Sequence, residues 1–411
     1  MTESKKREKR TSQTGVIRAV SEDFLMNIAA TVISTGTMQL LLYPRLAASL
    51  GEISYGNMLT IMGVINVATL AFGNNLAQVR LISEQKYIER EEKGDFQIFL
   101  FMSCFLSLLC MIVVCFCMSV SIWEMIPIII LTLTTILKSY YLVTFRLSID
   151  YKKNLIANVI MCLGYVIGSL VLLNFLHWSW AFILANVFCI VYICRVSKIA
   201  LEPFKITCLF KASAKTYVML ITGGLLSNIT TYLDRFVVYP ILGAASVSCF
   251  FVATYFSKAL SLICAPMTNV FLSYFSQGRI RLTRSLFILI NFAIIVLSIL
   301  LVLICVTFGA WITEILFPGL YLDAAQYILL AAIGTVINTV SSFNGTVVLV
   351  VASSVWQTII PGVCMTIYLI LAVLLSLTYG LIGMCFALIL SGLLRFVLNF
   401  VVGLRAIKEA V

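Results

Sequence analysis

Long apolar runs separated by short polar stretches dominate this chain. Twelve runs recur, at about 24–44, 54–78, 97–119, 124–145, 155–176, 179–197, 217–242, 245–275, 285–308, 325–349, 355–377 and 380–403. A helix needs about 20 apolar residues to cross a hydrocarbon core of about 30 Å. The pattern therefore predicts an all-α polytopic membrane protein with about twelve transmembrane helices.

Polar residues inside the runs fall at helical spacing, which marks faces turned away from lipid. The first run carries Asn27, Thr31, Ser34 and Thr35, and the second carries Asn66, Thr69 and Gly73. The seventh is the most polar, with Gly223, Ser227, Thr231 and Asp234 on one stripe and Asn228 and Arg235 beside it. The tenth carries Thr335, Asn338, Ser341 and Thr346. Gly, Ser and Thr alone are explained by close helix packing. Asn, Asp, Arg and Lys gathered in one neighbourhood point to a cavity.

The runs divide as six plus six. The first ends in Tyr43-Pro44, then Leu50-Gly51 and Tyr55; the seventh ends in Tyr239-Pro240, then Leu242-Gly243 and Tyr255. An even number of spans per half starts both halves on the same side, so an internal repeat here is a parallel one. The expected organisation is a basic tail over 1–20, a six-helix lobe over 21–198, a linker over 199–216, and a second six-helix lobe over 217–411.

Composition agrees. The chain has 411 residues, of which 62% are hydrophobic and 11% charged, and its mean hydropathy is +1.08. A soluble domain carries about 25% charged residues. The net charge of +11 follows from the excess of Lys and Arg in cytoplasmic loops and calls for no nucleic acid. With twelve spans, 23 of the 28 basic residues share a side with the N-terminus, and only Arg45 lies on the other. Both termini are thus expected in the cytoplasm. The first apolar run is too long for the core of a cleavable signal. Trp123, Trp178, Trp180, Trp311 and Trp356 fall at run ends, where amphipathic rings prefer to sit.

The thirteen Cys residues are scattered, which argues for small buried hydrophobes rather than a disulfide framework. A single His, His177, in a short loop nearly excludes a histidine metal site, and packing is its expected role. No phosphate-binding loop, G-x-S-x-G or H-E-x-x-H occurs. Asn228-Ile-Thr230 and Asn344-Gly-Thr346 match the glycosylation pattern only inside spans. No loop is large enough to house a sugar-transfer site, so moving a cargo is favoured over converting one, and no cofactor is expected.

Charges inside the runs carry the chemistry. A charged residue at the bilayer centre costs about 2.5–3.5 kcal/mol even on insertion scales. Asp234 and Arg235 lie in the outer half of the seventh span, Lys258 near the middle of the eighth, and Lys138 and Arg395 inside the fourth and twelfth; Arg45 caps the first. Asp234 is the one acid deep in a span. The interior is net positive, which favours an anion such as phosphate. The bland alternative for Asp234 is an ion pair with Arg235 or Lys258 that holds helices together. Lys138 and Arg395 can instead snorkel toward the cytoplasmic interface.

The chain resembles the polysaccharide flippases of the MOP superfamily, the Wzx-type O-antigen and repeat-unit flippases. Tyr43-Pro-Arg-Leu-Ala-Ala-Ser-Leu-Gly-Glu-Ile-Ser-Tyr-Gly56 through Phe72-Gly73 to Arg80 is similar to the family's first two spans. Thr231-Tyr-Leu-Asp-Arg-Phe-Val-Val, then Leu242-Gly243 to Tyr255, is similar to the seventh and eighth, and Ile315-Leu-Phe-Pro-Gly-Leu-Tyr-Leu-Asp-Ala-Ala325 to the loop before the tenth. The resemblance implies a MOP/MATE-like fold with a cationic cavity between two six-span lobes. Its implied cargo is an undecaprenyl-diphosphate-linked oligosaccharide, flipped across the cell inner membrane by alternating access, with membrane lipids and a polysaccharide polymerase as further contacts. Asp234 and Arg235 match the family's acid–base pair of the seventh span; Lys258 stands where the family more often has a small residue. The residues expected to touch substrate are Arg235, Lys258, Arg45, Asn228 and Asn66, with Asp234 the candidate for ion coupling. Competing readings are a cation-coupled multidrug exporter of the same superfamily and a polysaccharide polymerase.

The charge pattern makes one direct prediction. Alkaline phosphatase fused after Leu50 will be active and fused after Lys86 inactive; activity at both positions would overturn the assigned orientation.

Overall fold

The computed structural model describes residues 25–90, 92, 94–171, 176–276, 283–351 and 356–409, and omits the side chains of residues 223, 224, 226–228, 262–276, 346, 347, 349–351, 357, 358, 408 and 409. The basic tail over 1–20 lies outside the described residues. Helices make up almost all of what is described: α1 (Leu25–Glu89), α2 (Asp95–Cys117), α3 (Ile122–Leu147), α4 (Tyr151–Leu170) and α5 (Ser179–Val196), then α6 (Phe210–Leu242), α7 (Ala244–Ser276), α8 (Arg284–Leu316), α9 (Pro318–Val351) and α10 (Trp356–Glu409). In hydrocarbon every backbone N–H and C=O must be satisfied internally, which leaves helices as the structure open to such apolar runs. Among the described residues, eight helices are long and apolar enough to cross a membrane. This is the polytopic all-α architecture that the hydropathy pattern predicts.

Two helices exceed one crossing. α1 has 65 residues and α10 has 54, against the roughly 20 that one crossing needs. Each is broken by a glycine in the left-handed region, Gly51 at φ 74° and Gly380 at φ 62°. Gly243, between α6 and α7, has φ 85°. A Cβ at any of the three would meet open space, so backbone conformation rather than crowding requires glycine there. Gly51 and Gly243 are the repeated Leu-Gly positions, so the sequence echo marks the same turn in both halves.

The chain forms two compact units. One takes the chain up to Ser49 together with Val64–Asn228; the other takes Leu50–Gly63 and Ile229–Val411. The divisions at Gly63/Val64 and Asn228/Ile229 run through helices α1 and α6 rather than through loops.

In the first unit, α4 and α5 meet through small residues. A Cβ at Gly164 would lie 2.4 Å from Ala185 Cα, and one at Gly168 would lie 2.7 Å from Ala181 Cα. The four-residue spacing on both helices keeps the small positions in register, so the backbones approach closely. Asn186 Nδ2 donates to Thr135 Oγ1 at 2.9 Å, joining α5 to α3. The Asp150 carboxylate caps α4, accepting from Lys153 N at 3.2 Å.

In the second unit, α9 packs along the last part of α10. Asn338 Nδ2 donates to Leu388 O at 2.9 Å, Ser341 Oγ to Gly392 O at 2.9 Å, and Asn399 Nδ2 to Ser341 O at 3.0 Å. The polar stripe of the tenth run is thus interhelical glue at Asn338 and Ser341. Tyr55, Phe251, Tyr255 and Phe317 form an aromatic cluster near the turns, with Tyr255 and Phe317 centroids 4.8 Å apart. A Cβ at Gly56 would fall 1.9 Å from Ala244 O, so residues 50–63 press directly on the start of α7.

Overpacking the α4–α5 contact will destabilise the protein. Gly164→Leu is expected to cost about 1–3 kcal/mol or more and to lower the melting temperature in detergent, whereas Gly362→Ala, with nothing within 4 Å, will leave it nearly unchanged.

Candidate functional site

The second unit brings Asp234, Arg235 and Lys258 together. Asp234 and Arg235 sit eight and seven residues before the end of α6, about 12 Å from its Gly243 end at 1.5 Å per residue. Lys258 lies fourteen residues into α7, about 21 Å from the same end. Side chains lean toward the N-terminus of their own helix. α6 and α7 run in opposite directions, so Asp234 leans down and Lys258 leans up, and the two meet. Lys258 Nζ lies 2.5 Å from Asp234 Oδ2, while Asp234 Oδ1 accepts from the backbone N–H of Arg235 at 2.9 Å.

Arg235 is answered differently. Nη1 donates to the carbonyl of Leu59 at 2.8 Å, and Leu59 lies eight residues past the Gly51 turn, at the matching depth. The guanidinium lies 5.4 Å from the Tyr232 ring centroid and 5.2 Å from that of Phe251, within the range of cation–π attraction. Gly63 leaves room for the stem, since a Cβ there would sit 3.5 Å from Arg235 Cδ. Among the described residues Arg235 has no carboxylate partner of its own. Asp234 and Lys258 cancel, so the three charges leave one positive charge over.

Exposure separates the members. Asp234 and Arg235 are buried, at 7% and 9% of their full accessibility, whereas the Lys258 side chain is 37% exposed. Arg235 is fixed by a carbonyl and two rings. Lys258 is held by one ion pair and by Phe250, whose ring centroid lies 5.9 Å away, so it is the member able to move to a ligand.

The other expected site residues lie in the first unit and make few contacts. Arg45 is exposed and Asn66 half-buried, and among the described residues neither makes a side-chain hydrogen bond. The Asn228 side chain lies outside the described residues. Lys138 Nζ has a thioether partner, Met161 Sδ at 3.6 Å, and no carboxylate among the described residues. His177 shares a hydrogen bond with Ser179 Oγ through Nδ1 at 2.8 Å and packs on Trp178. Burial pushes its imidazole below the usual histidine range, which accords with packing. Asn344 is fully buried, so its glycosylation match is a coincidence of sequence. The described cysteines are free.

Sequence reasoning passed over a second polar assembly, in the first unit. Arg80 forms a two-pronged pair with Glu202, at 2.7 Å on each prong, bonds Glu84 at 2.5 Å, and lies 4.7 Å from the Phe96 ring centroid. Asp95, fully buried, accepts from Tyr87 Oη at 2.6 Å, Thr207 N at 2.7 Å and Thr207 Oγ1 at 2.5 Å. Gln97 Nε2 donates to Ile199 O at 2.6 Å. Residues 199–207 of the linker are thereby pinned to α1 and α2. The available signal was the presence of acids, Asp95 and Glu202 among them, between basic residues at run ends. Bidentate charge-assisted bonds of this kind are strong and directional, and their role here is to hold the linker.

No protein-family profile matches the chain, and no curated protein does. Solved structures do. The lipid II flippase MurJ, in an inward closed conformation, superposes with a TM-score of 0.65 at 14% identity, covering 96% of this chain and 90% of that one. An inward-facing multidrug resistance MATE family transporter of the MOP superfamily gives 0.56 at 14% identity, over 93% and 95%. The Vibrio cholerae MATE transporter VcmN in its bent form gives 0.54 at 14% identity, over 96% and 99%. The chain has the fold these transporters share, along nearly its whole length.

A mutant cycle tests the site's energetics. Lys258→Ala leaves a buried carboxylate unpaired and is expected to cost up to about 3 kcal/mol, lowering the melting temperature. The double variant D234N/K258A will regain most of that loss, and a double variant as unstable as the sum of its parts would refute the pairing.

Proposed function

We propose that this chain flips a lipid-linked oligosaccharide, of the undecaprenyl-diphosphate type, from the cytoplasmic to the outer face of the cell inner membrane by alternating access. The observation that carries the reading is the positive charge left over at Asp234–Arg235–Lys258 among the described residues. A buried surplus cation recruits an anion, and a diphosphate ester is the anionic part of such a cargo. The full-length likeness to a lipid II flippase supports the same reading. Arg235 supplies fixed positive potential. Lys258 turns from Asp234 to the arriving phosphate; Arg45, Asn66 and Asn228, in the first unit, are the further residues proposed to contact cargo.

Asp234 then takes up a proton or sodium ion in place of the departed ammonium, which couples cargo movement to an ion gradient. Membrane lipids and a polysaccharide polymerase are the expected neighbours.

A second reading, a cation-coupled multidrug exporter, draws on the MATE structures that match over the whole length. Asp234 weighs against it as an open cation site, because its carboxylate is already taken by Lys258.

Replacing Arg235 or Lys258 with Ala will abolish surface polysaccharide, a loss larger than any accompanying fall in membrane level of the protein, and single repeat units will accumulate on the inner face. Full polysaccharide in both variants would overturn the reading. Drug sensitivity on deletion would favour the exporter, and repeat units gathered on the outer face would favour a polymerase.

A further inference from the structure

The linker of the first unit is held on one face and bare on the other. Gln97 Nε2 donates to the Ile199 carbonyl, Glu202 pairs with Arg80, and Thr207 bonds Asp95. The backbone is pressed in as well, since a Cβ at Gly94 would lie 2.6 Å from Lys205 O. Leu201, Phe204 and Ile206 face the other way and are 80%, 70% and 66% exposed. Contiguous apolar side chains left open in this way mark a surface that meets protein or membrane.

Charge narrows the choice. From Arg195 to Lys215 the chain carries five basic residues, Arg195, Lys198, Lys205, Lys211 and Lys215, and one acid, Glu202. Arg80 takes up that acid. All five basic residues are exposed, so the open face of the linker is apolar and basic only.

Depth narrows it further. Asp95 opens α2, and six residues on Phe101 is 65% exposed, with Met102, Phe105 and Leu106 exposed after it. That apolar ridge faces lipid. Six helical residues span about 9 Å, and the polar layer on each side of the hydrocarbon is about 5–8 Å thick. Thr207 is bonded to Asp95, which puts its neighbour Ile206 at headgroup level. A protein partner would have to push between the lipid headgroups to cover this face.

We propose that Leu201, Phe204 and Ile206 insert into the leaflet on their own side of the membrane, with Lys198 and Lys205 on its anionic headgroups. Apolar insertion and basic flanks are the two contributions that bind interfacial segments to anionic membranes. The linker is then gripped by α1 and α2 on one side and by lipid on the other. This role does not depend on the cargo.

The test places the photocrosslinking residue p-benzoylphenylalanine at position 204 of the full-length protein, where the exposure of Phe204 leaves packing undisturbed. The protein is irradiated in the cell membrane and in nanodiscs of equimolar phosphatidylcholine and phosphatidylglycerol, and the adducts are identified by mass spectrometry. Lipid adducts are expected in both. In nanodiscs phosphatidylglycerol will be favoured about fivefold, the worth of one Lys at an anionic surface. The double variant K198Q/K205Q will bring that ratio close to one and keep the total yield of lipid adducts.

Absence of lipid adducts overturns the insertion and leaves the face to water. Adducts to a protein in place of lipid in the cell membrane overturn it in favour of a protein partner. A ratio near one without any substitution, or a preference that survives K198Q/K205Q, overturns the role given to the two lysines.

Discussion

A charge held in hydrocarbon has no water to fall back on, so it is answered by the protein or by what the protein carries. That constraint orders the polar residues of this chain. Arg80 is answered completely, by two carboxylates and a ring, and serves to hold the linker. Arg235 is answered by a carbonyl and two rings that leave its charge in place. Lys258 is answered by one half-buried ion pair and a ring, Lys138 by a sulfur, and Arg395 by nothing described. The less the protein supplies, the stronger the case that the missing partner is a ligand.

Stability and function pull against each other at these positions. A buried ion pair adds little net stability beyond what apolar residues of similar volume would give, and an unpaired charge subtracts from it. Packing between small residues, as at Gly164 and Gly168 on α4, together with backbone-directed bonds such as Asn338 to Leu388, carries the stabilising share. The charged wall is then free to be electrostatically strained, because it is not what holds its helices together.

The architecture was legible in the sequence because a span is read from composition summed over about 20 residues, and such a sum tolerates local error. The Tyr-Pro…Leu-Gly echo was legible too, since positive φ demands glycine and left Gly51 and Gly243 in place. Partner choice was not. Asp234 has cations both beside it, at Arg235, and across from it, at Lys258; which one its Oδ2 meets depends on helix direction and rotation. Asn338 read as cavity-facing, and helix rotation turned it onto the Leu388 carbonyl. The Leu59 carbonyl as partner of Arg235, and the pinning of Glu202 and Thr207, needed contacts more than a hundred residues apart in sequence, beyond any local window.

Those long separations bear on how the protein is made. Leu59 leaves the ribosome 176 residues before Arg235, and Glu52 leaves 196 residues before its partner Ser248. At about 5–20 residues per second, residues 50–63 wait roughly 10–40 s for these first partners in their unit. The first unit is delayed as well, because Asn75 reaches 145 residues ahead to the Leu220 carbonyl. Neither unit can close before the other has begun, so a ribosome stalled near the linker would leave both halves unfinished in the bilayer.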